Sequence, residues 1–276
     1  MAQTSKTRIL IASLILMSTL ISPALAARLN LTVKGSTTVL PIAQVTAEVL
    51  MDRAPELNIS VQGGGSGLGL AALHDKTTQI AMSSRAIKPA ETAKADLKGV
   101  KPVATVVAYD GIAVIVHPTN PVKALSLAQL QAIYTGKITN WSSLGGPQLK
   151  IVVLSRDSSS GTYEAFEDLA LKKQKVRPDA LNAASNQAIA KTVAQTPGAI
   201  GYIGLGYLSP RVKALSVDGQ ACTRANIMSK RYALSRPLYL YTNGQPAGSA
   251  KRFIDFILSA EGQKLITEEG FVSVRR

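Results

Sequence analysis

Three clusters of glycine, serine and threonine recur at the same kind of position along the chain. Each cluster follows an apolar, strand-like stretch and is followed at once by a helix-like stretch. The clusters lie at residues 35–38, 63–67 and 155–162. The start of a helix leaves up to four backbone N–H groups without an intrahelical partner and carries a partial positive charge. Glycine lets the backbone approach a ligand closely and hydroxyl groups add donors, so such junctions can bind anions.

Arg156 lies inside the third cluster and strengthens this interpretation. A guanidinium group is always charged and presents a planar fork of N–H donors to two oxygen atoms. Serine, threonine and glycine are also ordinary helix caps, and one such cluster alone is better read as a cap. Three clusters in one chain, one of them with an arginine, predict a convergent site for a tetrahedral oxyanion.

The rest of the composition excludes several other chemistries. One cysteine and two histidines are too few for a Cys/His zinc site, and we expect neither a metal nor a cofactor. The sequence contains no Gly-x4-Gly-Lys-Ser/Thr phosphate loop. With 31 Lys and Arg against 17 Asp and Glu, the formal net charge is +14, which attracts anions. Because the basic residues are scattered and not interleaved with aromatic residues, a small anion is favoured and nucleic acid is not.

The first 26 residues have the pattern of a secretory signal peptide. Lys6 and Arg8 precede an apolar stretch at residues 9–21, and the Ala-Leu-Ala sequence at 24–26 is a small-x-small cleavage site. The apolar stretch is too short to span a bilayer comfortably, so an uncleaved anchor is the less favoured alternative. We therefore expect an exported, soluble protein, most simply in a Gram-negative periplasm.

Helix signals occur between the clusters and after them. Pro89 is expected to open a helix that reaches about Leu97, because proline is tolerated in a first turn. Ser126 and Gln129 have the spacing of a capping box. Residues 249–266 read as a C-terminal helix with a break near Gly262.

Strand-like and helix-like stretches alternate along the whole chain. The β-branched runs at 103–107 and 112–116 read as two buried strands. The alternation predicts the α/β class with mixed, mostly parallel sheets. The roughly 250 residues after the predicted signal peptide exceed a comfortable single core, so two lobes are expected.

Six stretches together carry a resemblance to a known family. They lie at residues 35–41, 63–67, 82–85, 110–116, 134–141 and 156–162. In them the chain resembles the periplasmic phosphate-binding proteins that feed Pst-type ABC importers, and the resemblance covers nearly all of residues 29–274. No single stretch is specific, but the combination is.

The resemblance implies a type II periplasmic-binding-protein fold. Lobe 1 would comprise residues 29–109 plus 230–276 and lobe 2 residues 110–229, with crossovers near 108–112 and 230–239. Inorganic phosphate would bind between the lobes without catalysis, and a monomeric protein would deliver it to an inner-membrane ABC permease. The implied oxyanion contacts are Ser36, Thr37, Thr38, Ser66, Arg156, Ser160, Gly161 and Thr162.

One position departs from the family pattern. Some members have an aspartate at the position of Ser84, where it accepts the proton of bound phosphate and repels fully ionised sulfate. A serine hydroxyl can also accept, so Ser84 belongs to the expected site, with weaker rejection of sulfate. Asp110 is a candidate substitute acceptor, and a structural aspartate in a turn is the alternative. Arg85 is expected in a surface or interlobe ion pair rather than at the ligand.

Other functions stay open on the sequence alone. The ligand could be sulfate, molybdate or another oxyanion. The chain could also be an exported phosphate-ester hydrolase with Ser66 or Ser160 as nucleophile, although neither His74 nor His117 has an obvious nucleophile partner. A surface or attachment role that reuses the fold is the third alternative.

Overall fold

The computed structural model describes residues 29–275 of the 276-residue chain. The predicted signal peptide at residues 1–26 lies outside this range. Across the part that is described, no helix combines the length and apolar character needed to cross a membrane.

Strands and helices alternate along most of the chain, as the α/β class requires. The described residues form twelve strands: β1 (Leu29–Gly35), β2 (Leu57–Gly63), β3 (Ile80–Ser83), β4 (Pro102–Val116), β5 (Ala124–Leu125), β6 (Val152–Arg156), β7 (Leu181–Ala183), β8 (Ala199–Gly204), β9 (Lys213–Ala214), β10 (Ser216–Val217), β11 (Ser235–Asn243) and β12 (Val272–Ser273). The same range contains nine α-helices: α1 (Leu40–Arg53), α2 (Ser66–His74), α3 (Pro89–Leu97), α4 (Leu127–Tyr134), α5 (Gly161–Leu169), α6 (Asn186–Gln195), α7 (Arg224–Met228), α8 (Gly248–Leu258) and α9 (Ala260–Glu268).

Most strands form one mixed sheet in the order β2-β1-β3-β11-β4-β8-β6-β7. The outer pairs β1–β2, β1–β3, β6–β7 and β6–β8 are parallel. The central strands β4 and β11 run antiparallel to their neighbours. The strands that lead into the three glycine- and serine-rich clusters, β1, β2 and β6, all belong to the parallel parts. Ligands of open α/β sheets bind beyond the carboxyl ends of such strands.

The strand β4 connects the two halves of the sheet. It pairs with β11 as far as Gly111 and with β8 from Ile112 onward. The sequence predicted two strands here, at 103–107 and 112–116, because Asp110 interrupts the apolar run. They form one strand of 15 residues, since the Asp110 side chain finds its partners inside the protein.

Hydrophobic clusters lie on both sides of this connection. One large cluster and a smaller one draw their buried residues from 31–108 and 238–271. The other large cluster draws on residues 112–234 and adds Val272. The chain therefore passes from one hydrophobic cluster to the other along the central strands β4 and β11.

The helix-boundary signals are confirmed with one exception. Helix α3 spans Pro89–Leu97 as predicted, and the Ser126 and Gln129 side chains form the capping box before α4. The C-terminal helical stretch breaks at Ser259 rather than near Gly262, so that prediction was wrong. The Ser259 hydroxyl accepts the N–H of Gly262 at 3.0 Å and caps α9, which places the glycine inside the helix.

Candidate anion-binding site

The first cluster forms the junction between β1 and α1. Its three hydroxyl residues Ser36, Thr37 and Thr38 are buried. The Ser36 Oγ accepts the backbone N–H of Thr38 at 3.1 Å. Gly35 has a φ of +135°, and a Cβ there would lie 2.3 Å from the carbonyl oxygen of Met82. Glycine is therefore required where β1 passes close to β3 and turns into the junction.

The second cluster begins helix α2 at Ser66, directly after Gly65 with a φ of +122°. The Ser66 Oγ accepts the backbone N–H of Ser84 at 3.0 Å and lies 3.4 Å from the Ser84 Oγ. Both serines are fully buried. Ser84, the position singled out in the sequence, thus lies beside the second cluster.

The third cluster joins β6 to α5 and meets the other two. Ser160 caps α5, where its Oγ accepts a backbone N–H of the first turn at 3.3 Å. The Thr162 Oγ1 lies 2.9 Å from the Thr38 Oγ1 of the first cluster. A Cβ on Gly161 would lie 2.2 Å from the Ser66 Oγ of the second cluster. The three predicted helix starts therefore converge on one buried region.

Arg156 ends strand β6 and is only 2% exposed. Its Nε donates to the carbonyl oxygen of Ala183 at 2.8 Å and its Nη2 to that of Ala184 at 3.0 Å. Its Nη1 is buried and has no hydrogen-bond partner among residues 29–275. Burial lowers the pKa of the guanidinium below its ordinary value. A buried N–H donor without a partner is costly, and an oxyanion is the kind of group that would satisfy it.

Two further buried side chains join the site, and the sequence analysis did not find them. Asn186 begins α6 and donates from Nδ2 to the Oγ1 atoms of Thr37 and Thr38, each at 3.1 Å. Arg236 of β11 donates from Nη2 to Thr38 Oγ1 at 3.2 Å and to Thr162 Oγ1 at 3.1 Å. The start of α6 lacks a glycine cluster, and Arg236 lies within a strand, so neither has a local signature.

The chain matches a family model, the PBP superfamily domain, over residues 22–261. It is 36% identical over 247 residues to the phosphate-binding protein PstS of Bacillus subtilis. The alignment covers 89% of this chain and 81% of that protein. The chain belongs to the PstS family of phosphate-binding proteins. A second PstS, from Borreliella burgdorferi, is 34% identical over 257 residues and covers 87% of this chain and 88% of that protein.

Solved structures agree with this membership of the PstS family. A protein of Clostridium perfringens described as a phosphate ABC transporter substrate-binding protein with bound phosphate has a TM-score of 0.84 and 36% identity. The similarity covers 90% of this chain and all of that one. An ABC-type phosphate transport receptor of Vibrio cholerae has a TM-score of 0.72 and 36% identity, with coverages of 88% and 99%. The predicted type II periplasmic-binding-protein fold is confirmed.

In this PstS-family chain the candidate acceptor Asp110 is paired with Arg236. Its Oδ2 accepts from the Arg236 Nη2 at 2.9 Å and Nε at 3.1 Å, and its Oδ1 accepts from the N–H of Leu205 at 2.8 Å. Asp110 lies inside β4 and not in a turn, but its ion pair with Arg236 agrees with the structural role that the alternative gave it. Burial raises the pKa of its carboxyl group, and Arg236 opposes that shift.

Contacts outside the buried region also join the second and third clusters. The backbone N–H of Gly67 donates to the carbonyl oxygen of Ser159 at 2.9 Å. Arg85, which follows β3, pairs with Glu91 at 2.7 Å and with Glu164 of α5 at 2.5 Å. The ion pair predicted for Arg85 is confirmed, and this guanidinium is neutralised by two carboxylates.

Proposed function

We propose that this protein captures inorganic phosphate between two lobes and delivers it to the permease of an ABC importer. The observation that carries the proposal is the unpartnered, buried Nη1 of Arg156, which ends the strand that leads into the third of the converging helix starts. Fixed donors of this kind replace the hydration shell of a tetrahedral anion without reorganisation. The PstS relatives and the phosphate-bound Clostridium perfringens structure support phosphate as the ligand.

The two lobes are proposed as residues 29–109 plus 230–276 and residues 110–229. The division of buried apolar residues into clusters supports this arrangement, except that Tyr232, Leu234 and Val272 of lobe 1 pack with the residues of lobe 2. Donors then come from both lobes, since Thr38 lies in one and Thr162 in the other. An anion that bridges the lobes shifts the population toward the closed form, and closure strengthens each contact by excluding water.

The residues proposed to contact phosphate are those that the three helix starts and their neighbours bring together: Ser36, Thr37, Thr38, Ser66, Ser84, Arg156, Ser160, Gly161 and Thr162. Asp110 is proposed to act through Arg236 rather than on phosphate directly. The bonds that Arg236 and Leu205 make to both of its carboxylate oxygens support this role.

Export through a cleaved signal peptide, a periplasmic location and a monomeric state are part of the same proposal.

Binding without catalysis is favoured over the hydrolase alternative, because the hydrogen-bond partners of the two candidate nucleophiles do not activate them. Ser66 Oγ bonds to Ser84, and Ser160 Oγ to the first turn of α5. Neither bond involves a general base of the kind that activates a serine.

Calorimetric titration tests the proposed function. The protein is unfolded and refolded to remove bound ligand, then titrated with phosphate, arsenate, sulfate and molybdate. We expect one site per chain with the highest affinity for phosphate and arsenate. Absence of phosphate binding, or tighter binding of sulfate or molybdate, would contradict the proposal. Turnover of p-nitrophenyl phosphate that is abolished by Ser160→Ala would favour the hydrolase instead.

Ser84→Asp is expected to raise the preference for phosphate over sulfate by about tenfold. A carboxylate at this position accepts the proton of bound phosphate, whereas it repels sulfate, which has no proton to donate. The measurement is the ratio of the two dissociation constants by calorimetry at neutral pH, with Ser84→Asn as the uncharged control of similar size. An equal loss of affinity for both anions would show that the substitution only disturbs packing.

A further inference from the structure

Four charged side chains form an interlobe ion cluster, which comprises Arg85, Lys88, Glu91 and Glu164. The Glu164 Oε2 lies 2.5 Å from the Arg85 Nε and 2.6 Å from the Lys88 Nζ. The side chains of Arg85 and Glu164 are only 8% and 11% exposed. Because solvent and salt screen such a pair weakly, it interacts more strongly than an ion pair on the surface.

The interlobe ion cluster adjoins the anion site on both sides of the cleft. Arg85 directly follows Ser84 in the proposed lobe 1. Glu164 is in the first turn of α5 in the proposed lobe 2, two residues after Thr162. The pair between Arg85 and Glu164 therefore exists only while the lobes are closed.

The guanidinium of Arg85 is positioned from within its own lobe. Its Nη1 and Nη2 donate to the two carboxylate oxygens of Glu91 at 2.8 and 2.7 Å. The Nη1 also donates to the carbonyl oxygen of Ala86 at 2.9 Å, and Glu91 accepts the backbone N–H of Lys88 at 2.9 Å. Since these bonds lie within lobe 1, they persist on opening, and they fix the Arg85 Nε in advance for Glu164. A contact that is positioned in advance costs less entropy to form.

Opening of the cleft separates unlike charges. On lobe 1 the two cations Arg85 and Lys88 accompany the single carboxylate of Glu91, so this side keeps a net positive charge. On lobe 2 Glu164 then loses both of its cationic partners. Their attraction is made only in the closed form and shifts the population toward it.

We infer that Glu164, Arg85 and Lys88 are positioning residues that hold the lobes closed over the bound anion and so set the rate of its release. The inference rests on the proposed function, because it specifies what retains the closed form. None of the three is among the proposed phosphate contacts. The anion leaves only after opening, so a contact that breaks on opening slows release, whereas association with the open form changes little.

A purely electrostatic role of Glu164 would have the opposite sign. A carboxylate near the anion repels it, so removal of that charge alone would tighten phosphate binding. A carboxylate in the first turn also stabilises its own helix. Loss of that effect would lower the melting temperature without changing release, so the release rate separates the three roles.

Release is measured on protein loaded with radiolabelled phosphate, by rapid filtration after a chase with excess unlabelled phosphate. Glu164→Gln is expected to release phosphate about tenfold faster, the size of the effect of a close charge pair at an interface. Its association rate is expected to stay within about twofold, so the dissociation constant rises by nearly the same factor as the release rate.

Glu167→Gln is the matched control. Glu167 lies one turn later on α5 and pairs with Lys175 of the same lobe at 2.8 Å. Its removal takes away the same charge without loss of an interlobe contact, so release should stay within about twofold of the unmodified rate.

Three results would each overturn the inference: unchanged or slower release from Glu164→Gln, equal acceleration in Glu167→Gln, or a loss of affinity that lies in the association rate. If Glu164→Gln does not fold, Lys88→Ala takes its place. The Lys88 side chain is 55% exposed, so release is expected to be only about threefold faster, with the same contradicting results.

The same measurements distinguish failure of the inference from failure of the proposed function. If the unmodified protein does not bind phosphate, the proposed function is wrong and the inference is overturned with it. If the unmodified protein binds phosphate and Glu164→Gln releases it at the unmodified rate, the proposed function stands and only the role of the interlobe ion cluster is wrong.

Discussion

Arg156→Ala is expected to weaken phosphate binding by at least thirtyfold. Removal of one partner of a buried, hydrogen-bonded charge pair costs about 2–5 kcal/mol, and each 1.4 kcal/mol is about tenfold in affinity. The lost interaction is the one proposed between the anion and Nη1, because Nη1 has no protein partner in the described residues. Arg156→Lys should recover only part of the affinity, since a lysine ammonium cannot present the same fork. Calorimetric titration with phosphate measures both variants.

The two remaining nitrogens of Arg156 hold the carbonyls of Ala183 and Ala184, so some stability is lost as well. The melting temperature without phosphate reports this structural loss, and the shift on adding phosphate reports the site. Arg211→Ala removes the same charge from an exposed position and serves as the control for long-range attraction. Equal affinities of Arg156→Ala and Arg211→Ala would remove Arg156 from the site.

Gly161→Ala is expected to weaken phosphate binding by about 5- to 150-fold while leaving the protein folded. The added methyl group would lie 2.2 Å from the Ser66 Oγ and 2.8 Å from the Ser84 Oγ. Overpacking of this kind costs about 1–3 kcal/mol. Gly161 does not have a positive φ and begins a helix, so alanine suits its backbone conformation. The penalty therefore applies where the third cluster meets the second, a contact that the proposed function assigns to the closed form.

Calorimetry and small-angle X-ray scattering test this prediction together. The radius of gyration of the unmodified protein should fall when phosphate is added, whereas that of Gly161→Ala should change less at the same concentration. Ser158→Ala, an exposed position in the same cluster, is the control and should behave like the unmodified protein. Full affinity and full compaction in Gly161→Ala would contradict the contact between the two clusters.

The sequence was informative wherever function depends on local backbone geometry. The three clusters could be found because a tight strand-to-helix junction needs glycine and small hydroxyl residues next to one another, as at Gly35 and Gly65. The capping box at Ser126 is equally local. Helix starts and their donors were therefore predictable from residue types at fixed spacing.

The rest of the site depends on contacts between distant parts of the chain. Arg236 and Asp110 are 126 residues apart, and Asn186 is 148 residues from Thr38. No local pattern marks such pairs. For the same reason the sequence split β4 at Asp110, where an ion pair with a distant strand keeps a charged residue inside the sheet. The C-terminal break was misplaced because Gly262 has the composition of a break, whereas Ser259 provides the cap.

A crystal structure of the protein grown with arsenate, with anomalous scattering recorded at the arsenic edge, tests the central claim most directly. Arsenate has the shape and charge of phosphate and can be located without interpretation of weak density. The account predicts one strong arsenic peak enclosed by the three helix starts, with an anion oxygen roughly 2.7–2.9 Å from the Arg156 Nη1. If the protein binds arsenate in solution but the arsenic peak in the crystal lies outside the three helix starts or away from Arg156, the account is contradicted.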